Sequence, residues 1–120
     1  MAVKGRTRKY LDLNGKFSKY AEALLAKGDY VQANEKIWGA TAQMIKAIAA
    51  KRGISLRAHQ SIAEFVSKLD DEKPELNLVG DFASAESLHV NFYEDWLPAE
   101  IVQKRYDIVK RFIRNVQKFL

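Results

Sequence analysis

One ten-residue stretch concentrates the side chains of this chain that could do chemistry. Residues 87–96 read SLHVNFYEDW and hold a histidine, an asparagine, two carboxylates and three aromatic rings, in a chain with two histidines in total. An imidazole is the side chain best suited to moving protons at neutral pH. His89 is therefore the candidate catalytic residue. His89, Asn91, Tyr93 and Glu94 together are the candidate ligand-binding residues.

The same stretch also has a structural interpretation, which the helical spacing favours. His89 follows Leu78, Phe82 and Ala85 at a spacing that places it on the apolar side of a helix. A histidine in such a position is more often a hydrogen-bonded core residue than a ligand. The three polar neighbours of His89 are close enough to hydrogen-bond it or to cap the helix end. The other histidine, His59, is expected to cap a helix or to pair with a carboxylate.

A second candidate surface is basic and would contact phosphates. Its predicted phosphate-contact residues are Lys104, Arg111, Arg114 and Lys118 of the last helix, with Lys51, Arg52 and Arg57. Arg6, Arg8 and Lys9 of the N-terminal region could extend this surface. Nucleic-acid binding by such a surface would be weak in sequence preference and steep in its salt dependence. The competing interpretation is an ordinary solvated helix face.

Charge is distributed unevenly along the 120 residues. The net charge is +8 over residues 1–57, −8 over residues 58–100 and +5 over residues 101–120. This pattern predicts either an anion-binding face or self-neutralisation, in which the acidic segment packs beside the two basic ones. The chain contains no cysteine, which excludes disulfides, thiol nucleophiles and cysteine-based zinc sites. We expect no metal and no cofactor.

Helical periodicity runs through almost the whole chain, and strand signals are nearly absent. The first helix is predicted over residues 7–27, with Gly28 as its C-cap, and the second over residues 30–52, with Asp29 as its N-cap. Gly53 ends the second helix, which is apolar around most of its circumference and belongs at the centre of a bundle. Trp38 is expected in that core. The predicted apolar stripe of the first helix is Tyr10, Leu13, Phe17, Tyr20 and Leu24.

Three further helices complete the predicted architecture. The third starts near His59, Pro74 lies in the first turn of the fourth, and Pro98 opens the last. The last helix has an apolar face wider than one core requires, which predicts a homodimer. Its two stripes are Val102, Tyr106, Val109, Ile113, Val116 and Leu120, and then Ile101, Ile108, Phe112 and Phe119. Trp96 is expected at a rim or interface.

These elements predict an all-α, up-and-down bundle of about five helices. The chain should form one domain over residues 1–120, in which residues 1–6 are a basic arm that can be flexible. Without an apolar run of membrane-spanning length or the apolar core of a secretory signal, we expect a soluble, cytoplasmic protein.

Three stretches resemble an archaeal paralogous-repeat family, PaREP: GDYVQANEKIWGATAQMIKAIAAKRG, then AHQSIAEFV, then SLHVNFYEDWLP. The order of elements is similar to that of the HEPN superfamily of small helical bundles. The resemblance implies a bundle that commonly dimerises. It also implies three alternatives for activity: a metal-independent RNase, a toxin–antitoxin component, or a non-catalytic partner of a nucleotidyltransferase.

Active HEPN members carry an arginine followed, after four to six residues, by a histidine. The arginine holds the scissile phosphate and the histidine moves a proton. The positions that would precede His89 at this spacing are Phe82, Ala83 and Ser84, and none is basic. Arg52 and His59 match the bare spacing, but Gly53 interrupts the helix between them.

We therefore expect a non-enzymatic binding or assembly module whose partner is a nucleotide or RNA. The alternatives are a metal-independent endoribonuclease that uses His89 and an antitoxin-like or nucleotidyltransferase-associated subunit.

Overall fold

Five α-helices form a single bundle in this computed structural model, which describes residues 2–120 and the side chains from residue 5 onward. The helices are α1 (Ala2–Ala26), α2 (Tyr30–Lys51), α3 (His59–Glu72), α4 (Leu78–Glu94) and α5 (Ala99–Val116). Single 3-10 turns at Pro74–Leu76 and Gln117–Phe119 complete the chain, and no strand occurs within the described residues. The predicted all-α bundle of about five helices is confirmed.

Local signals in the sequence set most helix boundaries. Gly28 and Gly53 both adopt positive φ, of 78° and 76°, where glycine avoids the steric cost of a Cβ. The Asp29 carboxylate accepts a hydrogen bond from the backbone N–H of Gln32 and so caps α2. The first helix, however, begins at Ala2 and not near Thr7. Residues 2–6 of the predicted basic arm are thus helical, and Met1 lies outside the described residues.

The segment before α4 differs from its prediction. Pro74 was expected in the first turn of α4, but it begins a separate 3-10 turn, and α4 starts at Leu78. Asn77, with φ of 51°, reverses the chain between the two. The carboxylate of Asp70 then accepts the first backbone N–H groups of α4, from Leu78 at 3.0 Å and Val79 at 3.3 Å. The extra turn is therefore tied to the end of α3.

Helix α3 runs in the same direction as α2, which departs from simple alternation. The start of α3 lies beside the middle of α2, since the rings of His59 and Trp38 are 4.8 Å apart. The end of α3 lies beside the end of α2, where Arg52 binds Glu72. An extended segment of six residues, 53–58, spans roughly 20 Å, about the rise of fourteen helical residues. It thereby returns the chain to the level of Trp38.

Helix α2 lies at the centre of the bundle and contacts all the other α-helices. More than half of its residues are buried, including Trp38, Met44 and Ile48. Alanine and glycine on the remaining faces let α1 approach closely, so that the Phe17 ring lies against Gly39. Of the α1 side chains that the structure describes, Ala21 alone is fully buried, while the predicted stripe is half-buried except for Tyr20, which is exposed. The packing of α1 on α2 thus relies on small residues of α2.

Most of the wide apolar face of α5 packs within one chain. Its buried residues are Val102, Tyr106, Val109, Phe112 and Val116, and half-buried Ile101, Ile113 and Phe119 pack against the same core. The face that predicted a homodimer is therefore largely covered by α2 and α4. Among the described residues, four of the six exposed large apolar side chains lie on or after α4, at Val79, Val90, Tyr93 and Trp96, and the other two are Tyr20 and Leu120. None of the helices in the described part of the chain combines the length and apolar character that crossing a membrane requires.

Candidate functional site

The two histidines of the chain meet over Trp38. His59 is the first residue of α3 and His89 lies in the fourth turn of α4, and their ring centroids lie 4.8 Å and 4.7 Å from that of Trp38. Trp38 itself projects from α2 and is buried. Three helices therefore converge on one aromatic platform, which explains why sequence spacing within any single helix does not reveal it.

The imidazoles lie side by side on one side of the indole. Their centroids are 5.7 Å apart, whereas a sandwich with Trp38 in the middle would separate them by about twice the stacking distance. The ring planes make angles of 32° and 22° with the indole, for His59 and His89 respectively. Trp38 thus packs against both imidazoles. The distance between the two imidazoles is short enough for one small ligand to contact both.

Each imidazole has a carboxylate neighbour from another helix. Oε2 of Glu86 in α4 lies 2.9 Å from Nε2 of His59, so the imidazole donates to it in the Nε2–H tautomer. Oε2 of Glu35 in α2 lies 3.6 Å from Nδ1 of His89, which is ion-pair range and beyond a good hydrogen bond. We refer to Glu35, Trp38, His59, Glu86 and His89 as the histidine cluster.

Two members of this cluster, Glu35 and His89, each have a buried polar atom without a hydrogen-bond partner, as does Asn34, the residue before Glu35. Among the described residues, six buried side-chain atoms lack a hydrogen-bond partner, and four of them belong to Asn34, Glu35 and His89. Asn34 is fully buried, with neither its amide nitrogen nor its carbonyl oxygen paired. Buried polar groups are nearly always hydrogen-bonded, and exceptions mark sites that a water, an ion or a ligand completes. The cluster therefore has unused hydrogen-bonding capacity.

The other residues predicted beside His89 have separate roles. Asn91 is buried, and its Oδ1 accepts the backbone N–H groups of Trp96 at 2.9 Å and Leu97 at 3.0 Å. It therefore closes the end of α4, the helix-capping alternative given for this stretch. Tyr93 packs its ring edge-on against His89 and is 72% exposed. Glu94 is exposed at the last position of α4.

Arginine side chains are not among the contacts of His89. Within the described residues, its ring contacts are Trp38, His59 and Tyr93, and its charged neighbour is Glu35. The surroundings of His89 are thus aromatic and acidic. An acidic environment does not by itself hold a phosphate.

Two of the predicted phosphate contacts are engaged in ion pairs. Both guanidinium donors of Arg111 bind the carboxylate of Asp81 at 2.9 Å, and those of Arg52 bind Glu72 at 2.7 and 2.8 Å. Each hydrogen-bonded carboxylate raises the pKa of its arginine. Asp81 and Glu72 belong to the acidic segment, so that segment neutralises part of both basic ones, as the self-neutralisation alternative predicted.

The remaining predicted cations are exposed. Lys51, Arg57, Lys104, Arg114 and Lys118 form no hydrogen bond or ion pair with the described residues. Of these, Arg57 precedes His59 by two residues, in the extended segment that leads into α3. The N-terminal Arg6 donates to the Ser55 hydroxyl at 2.7 Å, which fastens α1 to that same segment.

Four members of the histidine cluster were not among the site residues predicted from the sequence: Glu35, Trp38, His59 and Glu86. Glu35 and Trp38 stand three residues apart on α2, as do Glu86 and His89 on α4, so each pair shares a helix face. That spacing is a signal that the sequence does contain. The pairing of the two faces depends on the direction of α3, which no local pattern encodes.

The donor set limits the chemistry of the cluster. No group of three or more potential metal-ligating side chains in the described part of the chain is arranged to hold a metal ion. The two imidazoles and two carboxylates can instead accept and donate hydrogen bonds along the edge of a polar ligand.

Comparison with known proteins identifies one relationship. A family model described as the archaeal PaREP1/PaREP8 family matches residues 9–113, which include all five helices in whole or in large part. Comparisons with curated proteins and with solved structures returned no match.

Proposed function

Because the chain belongs to the archaeal PaREP1/PaREP8 family, whose description states no activity, we propose its function from the geometry of the candidate site. The protein is a non-enzymatic module that binds a nucleotide or a single-stranded RNA base at the histidine cluster. One observation carries this proposal. Two imidazoles and two carboxylates converge from three helices, and Glu35 Oε2 and His89 Nδ1 are buried without a hydrogen bond. Such unused hydrogen-bonding capacity favours a polar ligand over a purely structural core.

A nucleobase matches the chemistry of the cluster. Carboxylates accept hydrogen bonds from the amino and imino groups of bases, and imidazoles can donate or accept. Glu86 and Glu35 are partly exposed and can serve as acceptors, while the exposed ring of Tyr93 offers a stacking surface. Base stacking on an aromatic side chain contributes about 1–3 kcal/mol. Bases with an exocyclic amino group should therefore bind more tightly than uracil.

Phosphate contacts in this proposal come from outside the cluster. Arg57 is the best-placed predicted candidate by chain position, since it lies two residues before His59 and is exposed. Lys104, Arg114 and Lys118 would contact phosphates only along a longer RNA. Arg52 and Arg111 are excluded from this role in the proposal, because their guanidinium groups already bind carboxylates.

The alternative function, a metal-independent endoribonuclease that uses His89, has one observation in its favour. A second imidazole lies 5.7 Å from His89, and two adjacent histidines could act as general acid and general base. Against it, no arginine of the described chain contacts His89, and both imidazoles face carboxylates that oppose a phosphate. We therefore retain binding as the proposed function.

The experiment is a titration of the four nucleoside monophosphates, followed by tryptophan fluorescence and calorimetry. We expect AMP, CMP and GMP to bind about tenfold more tightly than UMP, because uracil lacks the amino donor. Tyr93→Ala and Glu86→Gln should each weaken binding by roughly tenfold. The matched control is Tyr20→Ala, which removes an exposed tyrosine of α1 and should leave the affinity unchanged. Equal affinities in all variants would refute the proposed site.

Incubation with structured RNA in the presence of a chelator tests the alternative. Products ending in a cyclic phosphate that disappear in both His89→Ala and His59→Ala would establish the endoribonuclease and displace the binding proposal. We expect intact RNA.

Several finer expectations stay predictions. These are the HEPN-like relationship, a cytoplasmic location, the homodimer, and an antitoxin-like or nucleotidyltransferase-associated role. The homodimer now has a different basis, because the exposed apolar residues Val79, Ala83 and Val90 lie along one face of α4. A second copy on that face would lie beside the histidine cluster.

A further inference from the structure

A cavity of about 300 Å³ lies between α1 and α5, with α2 as its floor. This volume is about ten times that of a water molecule in the liquid and lies at the lower end of the range of small-molecule sites. Its floor and one wall are apolar, formed by Ala21, Ile37, Ala40 and Ile113. The cavity shares no residue with the histidine cluster, which is formed by α2, α3 and α4.

The rim of this cavity carries one cation in excess. Lys110 and Arg114, on successive turns of α5, both line it. Lys110 is compensated by Asp107, whose Oδ1 lies 3.3 Å from its ammonium group, and it also lies over the Tyr106 ring. Arg114 is exposed and forms no ion pair with any described residue. One guanidinium is thus available to a bound anion.

The acidic groups near the cavity are engaged elsewhere. The Tyr106 hydroxyl donates to Glu22 of α1, whose carboxylate does not itself line the cavity. Burial, together with this carboxylate, raises the pKa of Tyr106 well above its ordinary value, so its hydroxyl stays protonated. Asp107 is engaged with Lys110. Neither carboxylate forms an ion pair with Arg114.

Hydrogen-bonding groups are also available around the guanidinium. Ser18 of α1 and Gln117, just beyond α5, line the cavity, and their side chains form no hydrogen bond with other described residues. Asn14 differs, since its amide nitrogen donates to the Ala40 carbonyl at 2.8 Å and so fixes α1 against α2. The cavity thus has an apolar floor and a polar mouth with one unpaired cation. Three side chains at the mouth, those of Arg114, Ser18 and Gln117, can donate hydrogen bonds to a ligand.

We propose that this cavity binds a small organic monoanion with an apolar body. The anionic group would accept hydrogen bonds from Arg114, Ser18 and Gln117, and the body would lie on Ile37 and Ile113. A dianion has no second uncompensated cation here, and a neutral amphiphile would leave the guanidinium without its partner. The proposal is independent of the nucleotide function and concerns a second binding site.

The test uses octanoate as the probe and the amide resonances of the isotope-labelled protein as the readout. We expect saturable shifts centred on Ser18, Ile113 and Gln117, with a dissociation constant of about 0.1–1 mM for a ligand of this size. Arg114→Gln should weaken binding about tenfold, whereas Lys104→Gln, an exposed cation of α5 outside the cavity, should leave it unchanged. Ser18→Leu, which fills the mouth, should abolish the shifts.

Two further ligands test whether the cavity prefers a singly charged ligand, in addition to where the ligand binds. Octanamide, the neutral analogue, should bind at least tenfold more weakly than octanoate, and octyl phosphate should bind no more tightly. The proposal is overturned if the shifts lie elsewhere, if Arg114→Gln binds like wild type, or if octanamide matches octanoate. Tighter binding of the dianion would also overturn the monoanion assignment. Thermal unfolding of each variant confirms that the fold is retained before binding is compared.

Discussion

The ion pair between Arg111 and Asp81 allows a quantitative test of which cations are structural. Both oxygens of the Asp81 carboxylate accept from the guanidinium at 2.9 Å. The Asp81 side chain is 5% exposed and that of Arg111 is 55% exposed. The informative substitution is Arg111→Met, which keeps the aliphatic stem and removes only the charged group.

The expected loss of stability follows from this asymmetric burial. Arg111→Met leaves the Asp81 carboxylate, 5% exposed, without its charged partner. A buried acceptor that loses its partner costs about 1–3 kcal/mol, and we take about 2 kcal/mol for Asp81. For a chain of 120 residues, this corresponds to a decrease of about 8 °C in Tm. The reverse substitution, Asp81→Asn, should cost only about 1 kcal/mol, since the exposed arginine regains water.

The assay is urea unfolding followed by far-ultraviolet circular dichroism, with calorimetry for Tm. The matched control is Arg114→Met, one turn further along α5, where the arginine has no ion-pair partner among the described residues. That substitution should change stability by less than about 0.5 kcal/mol. RNA binding is measured for the same variants. Arg111→Met should bind RNA with the affinity of the wild type, although it is less stable.

Either of two results would refute this reasoning. If Arg111→Met and Arg114→Met destabilise equally, the buried carboxylate is not what Arg111 stabilises. If Arg111→Met leaves stability intact but weakens RNA binding, Arg111 is a phosphate contact, as the sequence predicted.

Three other predictions test the remaining elements. Asn91→Leu should lower the free energy of unfolding by about 3 kcal/mol, because two backbone N–H groups lose their acceptor; denaturant unfolding measures this, and a loss below about 1 kcal/mol would contradict it. The Arg52 hydrogen bonds lower the pKa of Glu72 from its ordinary value of 4.5. The wild type should therefore be more stable than Glu72→Gln by an amount that is complete above pH 4.5 and declines as pH falls through the lowered pKa. A stability difference that stays constant down to pH 2 would show that the Glu72 carboxylate does not stabilise the fold through Arg52. Light scattering should give a dimer mass at micromolar concentration and a monomer mass for Val90→Glu; a monomeric wild type would disprove the dimer.

Much of the fold was accessible from sequence because helix formation and termination are local. The periodicity of apolar residues depends on neighbours three and four positions apart, and it located five helices. Gly28 and Gly53 end helices through their own backbone freedom, and Asp29 caps α2 through a contact three residues away. The two main errors, at the start of α1 and at Pro74, concern segments where the local signals are weak or compete.

The histidine cluster and the cation assignments depended on contacts between distant residues. Arg111 pairs with Asp81, thirty residues away, and no pattern within α5 predicts that partner. The wide apolar face of α5 predicted a partner chain, and the tertiary structure instead covers most of that face with α2 and α4. An amphipathic pattern states that a face must be covered but does not identify what covers it.

The sequence by itself determined which residues are helical, that α2 is central, and that no arginine precedes His89 at the spacing of the RNase motif. Only the tertiary structure decided that His59 and His89 share one indole, because that contact requires α3 to run in the same direction as α2. The direction follows from the six-residue connection 53–58, which spans about two-thirds of the length of α2, and from the Arg52–Glu72 pair at the far end. The free energy that favours this direction of α3 comes from packing between helices. The sequence of a single helix does not determine that packing.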